Sequence, residues 1–83
     1  MAQRQIWEAS EDMVVREAWQ EVWEYVRAMR IAGADRDWVY TDDAYLVASQ
    51  FAEDILGEEQ AEEFTAEYED LMQKCLDEMA SLL

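Results

Sequence analysis

Apolar residues recur along this chain at steps of three and four, and no window alternates with a period of two. That pattern predicts helices and no sheet. The first helix is expected over about Ser10–Ala32, with Ser10 as its cap and Glu11 and Asp12 at the positive end of its dipole. Its apolar positions Val14, Val15, Ala18, Trp19, Val22, Trp23, Tyr25, Val26 and Met29 cover roughly half the circumference. Glu17, Gln20, Glu21, Glu24 and Arg27 occupy the opposite side. A stripe that wide suits a helix packed on two neighbours, within one chain or across a homodimer. Residues before Ser10, including Ile6 and Trp7, either extend this helix or form a separate turn.

The main break is expected over Ala34–Tyr40. Thr41 is a good N-cap for a second helix over Asp42–Leu56, with Asp42 and Asp43 in its first turn. Tyr40, just before the cap, is placed to pack on Tyr45 as a hydrophobic staple. The second helix should turn Tyr45, Ala48, Ala52, Ile55 and Leu56 inward, with Phe51 nearby. A third helix reads from about Glu58 to Leu82, with Ala61, Phe64, Tyr68, Leu71, Met72, Cys75, Met79 and Leu82 as its inward stripe. The chain has no proline and two glycines, Gly33 and Gly57, each just past the expected end of a helix. Short connections between three amphipathic helices predict an all-α protein, a compact three-helix bundle formed by residues 1–83 as one domain. A chain of this size buries only about 60% of its unfolded surface, so the core must be thin.

Charge changes this picture more than composition does. Twenty-one acidic residues face six basic ones, a formal net charge of -15. Residues 1–36 hold seven acids and five bases, whereas residues 37–83 hold fourteen acids and one base, Lys74. Asp12 with Arg16, Glu24 with Arg27 and Asp70 with Lys74 stand at helical contact spacing. Between Glu53 and Asp70 lie nine acids and no base: Glu53, Asp54, Glu58, Glu59, Glu62, Glu63, Glu67, Glu69 and Asp70. The pairs Glu58–Glu62, Glu59–Glu63 and Glu63–Glu67 each cost a few tenths of a kcal/mol as like charges one turn apart. On one continuous helix, Glu59, Glu63, Glu67 and Asp70 would make a ridge stepping about 6 Å per four residues. That is coarser than duplex DNA, with about one charge per 1.7 Å, yet regular enough to occupy an Arg/Lys surface built for phosphates. Two readings stand side by side: a specific acidic binding surface, or a solvated face kept for solubility. The asymmetry between the halves favours the first, because solubility does not require it.

Such a surface repels bare nucleic acid and anionic membranes and attracts basic partners. No stretch approaches the ~20 apolar residues of a membrane span. The N-terminus lacks the apolar run of a secretory leader, which predicts a cytoplasmic protein. Cys75 is the only cysteine, which predicts neither an intrachain disulfide nor a four-ligand zinc site, and its place on the apolar stripe reads as a core thiol. There is no histidine for acid/base work or a triad and no Gly-rich phosphate loop. Together these predict a protein that is not an enzyme and that needs no cofactor or metal. A calcium loop counted from Asp35 would need Gly at Tyr40 and Glu at Leu46, so the acidic turn fails the EF-hand pattern. Acyl carrier proteins are similar in length, acidity and helicity, but the Ser that carries their prosthetic group is missing after Gly33-Ala34-Asp35. Trp7, Trp19, Trp23 and Trp38 are many for a thin core. Trp19 and Trp23 read as core or bundle interface. Trp38, in the break, either plugs the end of the bundle or stands exposed as a binding anchor.

Over its full length the chain resembles, in size, acidity, helicity and lack of catalytic residues, the small acidic proteins that phages and mobile elements use against host defence. These include anti-CRISPR and anti-restriction proteins, some of which mimic DNA. The resemblance implies occlusion of a basic nucleic-acid channel on a host-defence complex, in the host cytoplasm if the chain is phage-encoded. Acids such as Glu59, Glu63 and Glu67 would stand in for phosphates there. The contrasting expectation is a small structural or regulatory module that docks on a partner protein through a Trp-rich face. The wide apolar stripe of the first helix predicts self-association. Sedimentation at micromolar concentration should show a species heavier than the 9.8 kDa chain, and a clean monomer would count against a homodimer.

Overall fold

A computed structural model describes residues 12–83. Among these the chain is all-helical, in the order α1 (Met13–Ile31), a 3₁₀ turn (Arg36–Tyr40), α2 (Asp42–Leu56), α3 (Glu58–Glu63) and α4 (Thr65–Leu82). No described helix is long and apolar enough to cross a membrane. Among the described residues four α-helices stand where three were expected, because the predicted last helix is interrupted at Phe64 (φ -110°, ψ 67°). Neither Gly nor Pro marks that interruption. It falls inside the acidic run, between Glu63 and Glu67, where a continuous helix would stack like charges one turn apart.

The ends of the helices follow local chemistry. Ser10 lies outside the described residues, and the cap of α1 is Asp12, whose carboxylate accepts from the Val14 N–H at 2.9 Å and the Val15 N–H at 3.4 Å. At the other end, the Ala34 N–H donates to Met29 C=O (2.9 Å) and the Gly33 N–H to Arg30 C=O (3.0 Å). With Gly33 at φ 100°, this is a Schellman stop. Thr41 caps α2 as expected. Its hydroxyl accepts from the Ala44 N–H (3.4 Å) and donates to Trp38 C=O (2.7 Å), tying the helix to the 3₁₀ turn. Gly57, at φ 83° and ψ 151°, ends α2 and starts α3: its N–H donates to Glu53 C=O and its C=O accepts from the Ala61 N–H.

The core forms around α2, which packs against α1, the 3₁₀ turn, α3 and α4, while α1 and α4 touch each other little. Ala44, Ala48, Phe51 and Ala52 of α2 are buried, as are Ala18, Trp19, Val22 and Val26 of α1 and Met72, Cys75 and Met79 of α4. Trp19 meets Phe51 edge-on, with ring centroids 6.0 Å apart and planes at 77°, a favoured aromatic arrangement. Polar contacts between residues distant in sequence tie helix to helix. The hydroxyls of Ser49 and Tyr68 pair at 2.8 Å, joining α2 to α4. The Arg30 guanidinium donates to Leu82 C=O at 2.9 Å, placing a cation at the negative end of α4.

Several expected inward positions are corrected. Tyr45 is 54% exposed, because the buried line of α2 runs through Ala44, Ala48 and Phe51–Ala52 and Tyr45 sits beside it. Tyr40 keeps 86% of its surface, so no staple forms with Tyr45; Val39 of the 3₁₀ turn is the residue that enters the core. Phe64 is 46% exposed at the α3–α4 break. Among the described residues, Asp70 and Lys74 pair at 2.9 Å, whereas Glu24 with Arg27 and Asp12 with Arg16 do not pair with each other; the Asp12 carboxylate caps α1.

Gly57 holds the α2–α3 junction in a backbone conformation that a substitution can probe. A Cβ there would meet nothing within 4 Å, so an added methyl clashes with no neighbour. Its φ and ψ nonetheless fall in a region that is essentially reserved for Gly. Gly57→Ala should destabilise the protein by about 1–3 kcal/mol through backbone strain alone, measured as a lower urea midpoint with an unchanged slope. An unaltered midpoint would mean that the α2–α3 junction relaxes freely.

Candidate acidic interface

All nine acids of the Glu53–Asp70 run are exposed. Three helices carry them: Glu53 and Asp54 in the last turn of α2, Glu58, Glu59, Glu62 and Glu63 on α3, and Glu67, Glu69 and Asp70 on α4. The connections at Gly57 and Phe64 are a single residue each, so these carboxylates gather at one end of the molecule. Glu58, Glu59 and Glu67 sit in first turns, where the helix dipole favours negative charge. Glu53 and Asp54 sit at the unfavourable C-terminal end of α2. Two members have side-chain partners. Asp54 accepts from Gln50 Nε2 at 3.1 Å, and Asp70 pairs with Lys74 while both side chains stay more than half exposed. An exposed pair of this kind contributes little to stability.

The expected ridge is altered. Glu59 and Glu63 keep their one-turn spacing on α3, but Glu67 and Asp70 belong to α4, beyond the break. The four do not form one row of constant pitch. The acids instead make a patch with contributions from three helix segments. Among the described residues, no three acidic or thiol side chains converge as metal ligands would.

Trp38 does not join this patch. It lies in the 3₁₀ turn before α2, half-buried, with its ring 5.7 Å from that of Tyr25 and tilted by 34°. The rise of α2 from Asp42 puts about 17 Å between that end and Glu53–Asp54. Of the two readings of Trp38, the plug at the bundle end fits this packing. Trp19 is a core residue at 2% exposure and Trp23 is half-buried. Trp7 lies outside the described residues.

Two acids missing from the sequence-derived site belong beside it. Glu17 and Glu21, both exposed on α1, line the same surface hollow as Asp54. Nothing in the sequence flags them, because the first half of the chain is nearly charge-balanced and only folding brings α1 beside the end of α2. Of the described basic residues, Arg27, Arg30 and Arg36 lie at the opposite end, in the last turns of α1 and in the 3₁₀ turn.

Comparison with protein-family models, curated proteins and solved structures finds no match to this chain.

Cys75 is fully buried on α4, and its Sγ lies 3.6 Å from the sulfur of Met79. Burial pushes its thiol up to about 12 from an ordinary value of 9.0. A thiol held protonated in this way is a core group and a poor nucleophile. Because the folded pKa lies above the unfolded one, the stabilisation is fully present below about pH 9 and is lost as pH rises toward 12. Unfolding free energy should therefore fall across that window, with a slope approaching about 1.4 kcal/mol per pH unit. The Cys75→Ala variant, less stable overall, should lack this component. Parallel slopes for the two proteins in urea titrations between pH 8 and 10.5 would refute the burial argument.

Proposed function

We propose that this chain is a non-catalytic acidic binding protein whose Glu53–Asp70 patch occupies a basic nucleic-acid site on a partner protein or complex. It acts as a nucleic-acid mimic of the anti-CRISPR or anti-restriction type, in the cytoplasm. The observation that carries this reading is the collection of nine exposed carboxylates at one end of the fold, with Lys74 as the only base on the helices that bear them. Acids held on three helix segments present charge over a surface, as phosphates do, and not as a chelate. Glu63 and Glu67, on either side of the break, remain acidic where Gln would serve the helix equally well. Catalysis has no support: the chain lacks histidine and its one thiol is buried and protonated.

The steps of inhibition follow from the chemistry. The negative field attracts the basic channel of the partner from a distance and raises the rate of encounter. Carboxylates then replace phosphates against Arg and Lys, releasing bound anions and closing the channel to nucleic acid. Affinity should drop steeply with rising salt.

The test is the triple replacement of Glu59, Glu63 and Glu67 by Gln, assayed against the protein that wild type retains from a bacterial lysate. Gln keeps size and helix propensity and relieves like-charge repulsion, so thermal stability should be unchanged or slightly raised. Association should slow by about tenfold or more at low salt, and wild type should compete with DNA for the partner. Equal binding by wild type and the triple variant at low salt would make this face plain solvated surface.

A further inference from the structure

At Phe64 the fold bends a stretch whose sequence reads as one helix. The apolar stripe Ala61, Phe64, Tyr68, Leu71 and Cys75 keeps its period across the bend, and neither Gly nor Pro stands there. The Phe64 N–H still donates to Gln60 C=O at 2.8 Å, and the ladder resumes with the Tyr68 N–H on Phe64 C=O at 3.1 Å. Between them, the N–H groups of Thr65, Ala66 and Glu67 open α4 with no side-chain cap. Every residue from Glu62 to Glu67 is exposed, including Phe64. Backbone bonding and apolar burial both favour an unbent passage, and the bend gives up both.

An unbent passage also fits the rest of the fold. The 3₁₀ turn packs near Gln73 and Leu76 while Ser49 pairs with Tyr68, so α2 and α4 run antiparallel. From that pair, Gly57 is eight residues on along α2, about 12 Å, and Glu58 is ten residues back, about 15 Å if α3 continues α4. The two lengths nearly match, so a straight α3–α4 helix needs Gly57 alone as its turn. Straightening would restore the three backbone bonds, return Phe64 to the buried stripe and set Glu59, Glu63 and Glu67 in one row at about 6 Å pitch. That row is what opposes it, as like charges one turn apart. The bend takes Glu67 out of line with Glu63 and gives it the first turn of a helix, where a carboxylate is favoured.

We propose that Phe64 is a charge-operated hinge: bare carboxylates hold it bent, and cations laid along Glu59, Glu63 and Glu67 join α3 and α4 into one helix. Cations favour the straight form because there the three carboxylates face one partner together, the differential contact that a population shift requires. That the natural cations belong to a nucleic-acid-binding partner rests on the acidic-patch reading; the hinge itself does not.

The test reads Phe64 by NMR of the full-length protein at low salt. In wild type its Cα shift should be non-helical. Glu63→Gln combined with Glu67→Gln should move that shift to helical values and slow amide exchange at Thr65, Ala66 and Glu67 by about tenfold or more. Gln matches Glu in helix propensity, so the gain reports charge. Glu67→Lys, an opposite charge one turn after Glu63, should close the hinge further. Glu21→Gln with Glu24→Gln, which removes the same charge from α1, should leave Phe64 as in wild type. Octalysine added to wild type should bring on the helical shift saturably. The proposal is overturned if wild-type Phe64 is already helical, if neither Glu67 variant changes it, or if octalysine binds while Phe64 stays bent. Competition with DNA for the partner is scored separately. A rigid bend with intact competition refutes the hinge and spares the acidic patch, and a working hinge without competition does the reverse.

Discussion

Ala44, Ala48 and Ala52 stand one turn apart on α2, and all three are fully buried. Side chains that end at Cβ give α2 a smooth face, and neighbouring backbones can approach it closely. That approach lets one fifteen-residue helix contact every other described element, while α1 and α4 scarcely meet. Phe51, in the same helix, fills the space toward α1 by meeting Trp19 edge-on. Met72, Cys75 and Met79 supply the matching surface of α4. A larger residue at any of the three alanines would push a packed helix away, at a cost of order 1–3 kcal/mol. In a protein with so thin a core, that is a large share of the total stability.

Packing on α2 also has to offset the charge. Each like-charged pair along α3 opposes helix formation by a few tenths of a kcal/mol, and α3 is only six residues long with no buried residue of its own. Such a helix does not hold itself together in water. It persists because it is anchored at both ends, through Gly57 to α2 and through Phe64 to α4, and because both of those helices contact it. The acidic patch is thus a passenger on the core, and the core has to be intact for the carboxylates to keep their places.

Helices α1 and α2 were legible in the sequence because their signals agree with one another. The three-to-four spacing, Thr41 ahead of Asp42 and Asp43, and Gly33 and Gly57 past the ends all point to the same boundaries. The break at Phe64 was not legible. Neither Gly nor Pro stands there, and the apolar stripe from Ala61 through Met79 keeps its period straight across it. Periodicity reports which face is buried but not whether the backbone hydrogen bonds run on without interruption. The Tyr40–Tyr45 staple failed for a related reason. The 3₁₀ turn rotates Val39 toward the core in place of Tyr40, and a local pairing rule has no knowledge of that rotation. The composition of the acidic run was plain from the sequence, whereas its shape, and the addition of Glu17 and Glu21 beside Asp54, arise only from how α1 folds back along α2.

The formal charge of -15 is a poor guide to what a partner would experience. At physiological ionic strength, fields decay over about 8 Å. Carboxylates one turn apart on α3, about 6 Å along the axis, fall within that distance and act on an approaching group together. Asp42 and Asp43 begin α2 and lie about 15–18 Å along its axis from Glu53 and Asp54, so they add little to the field of the patch. The same screening keeps Arg27, Arg30 and Arg36, at that far end, from cancelling it. What matters for the proposed recognition is therefore the local arrangement: acids from α2, α3 and α4 carried on consecutive helix segments joined by two one-residue connections. Beside them stand Glu17 and Glu21 of α1, which line one surface hollow together with Asp54. A charged patch sets how fast a partner arrives, and a desolvated apolar contact sets how long it stays. The patch begins at Glu53 and Asp54, at the end of the one helix that every other described element packs against.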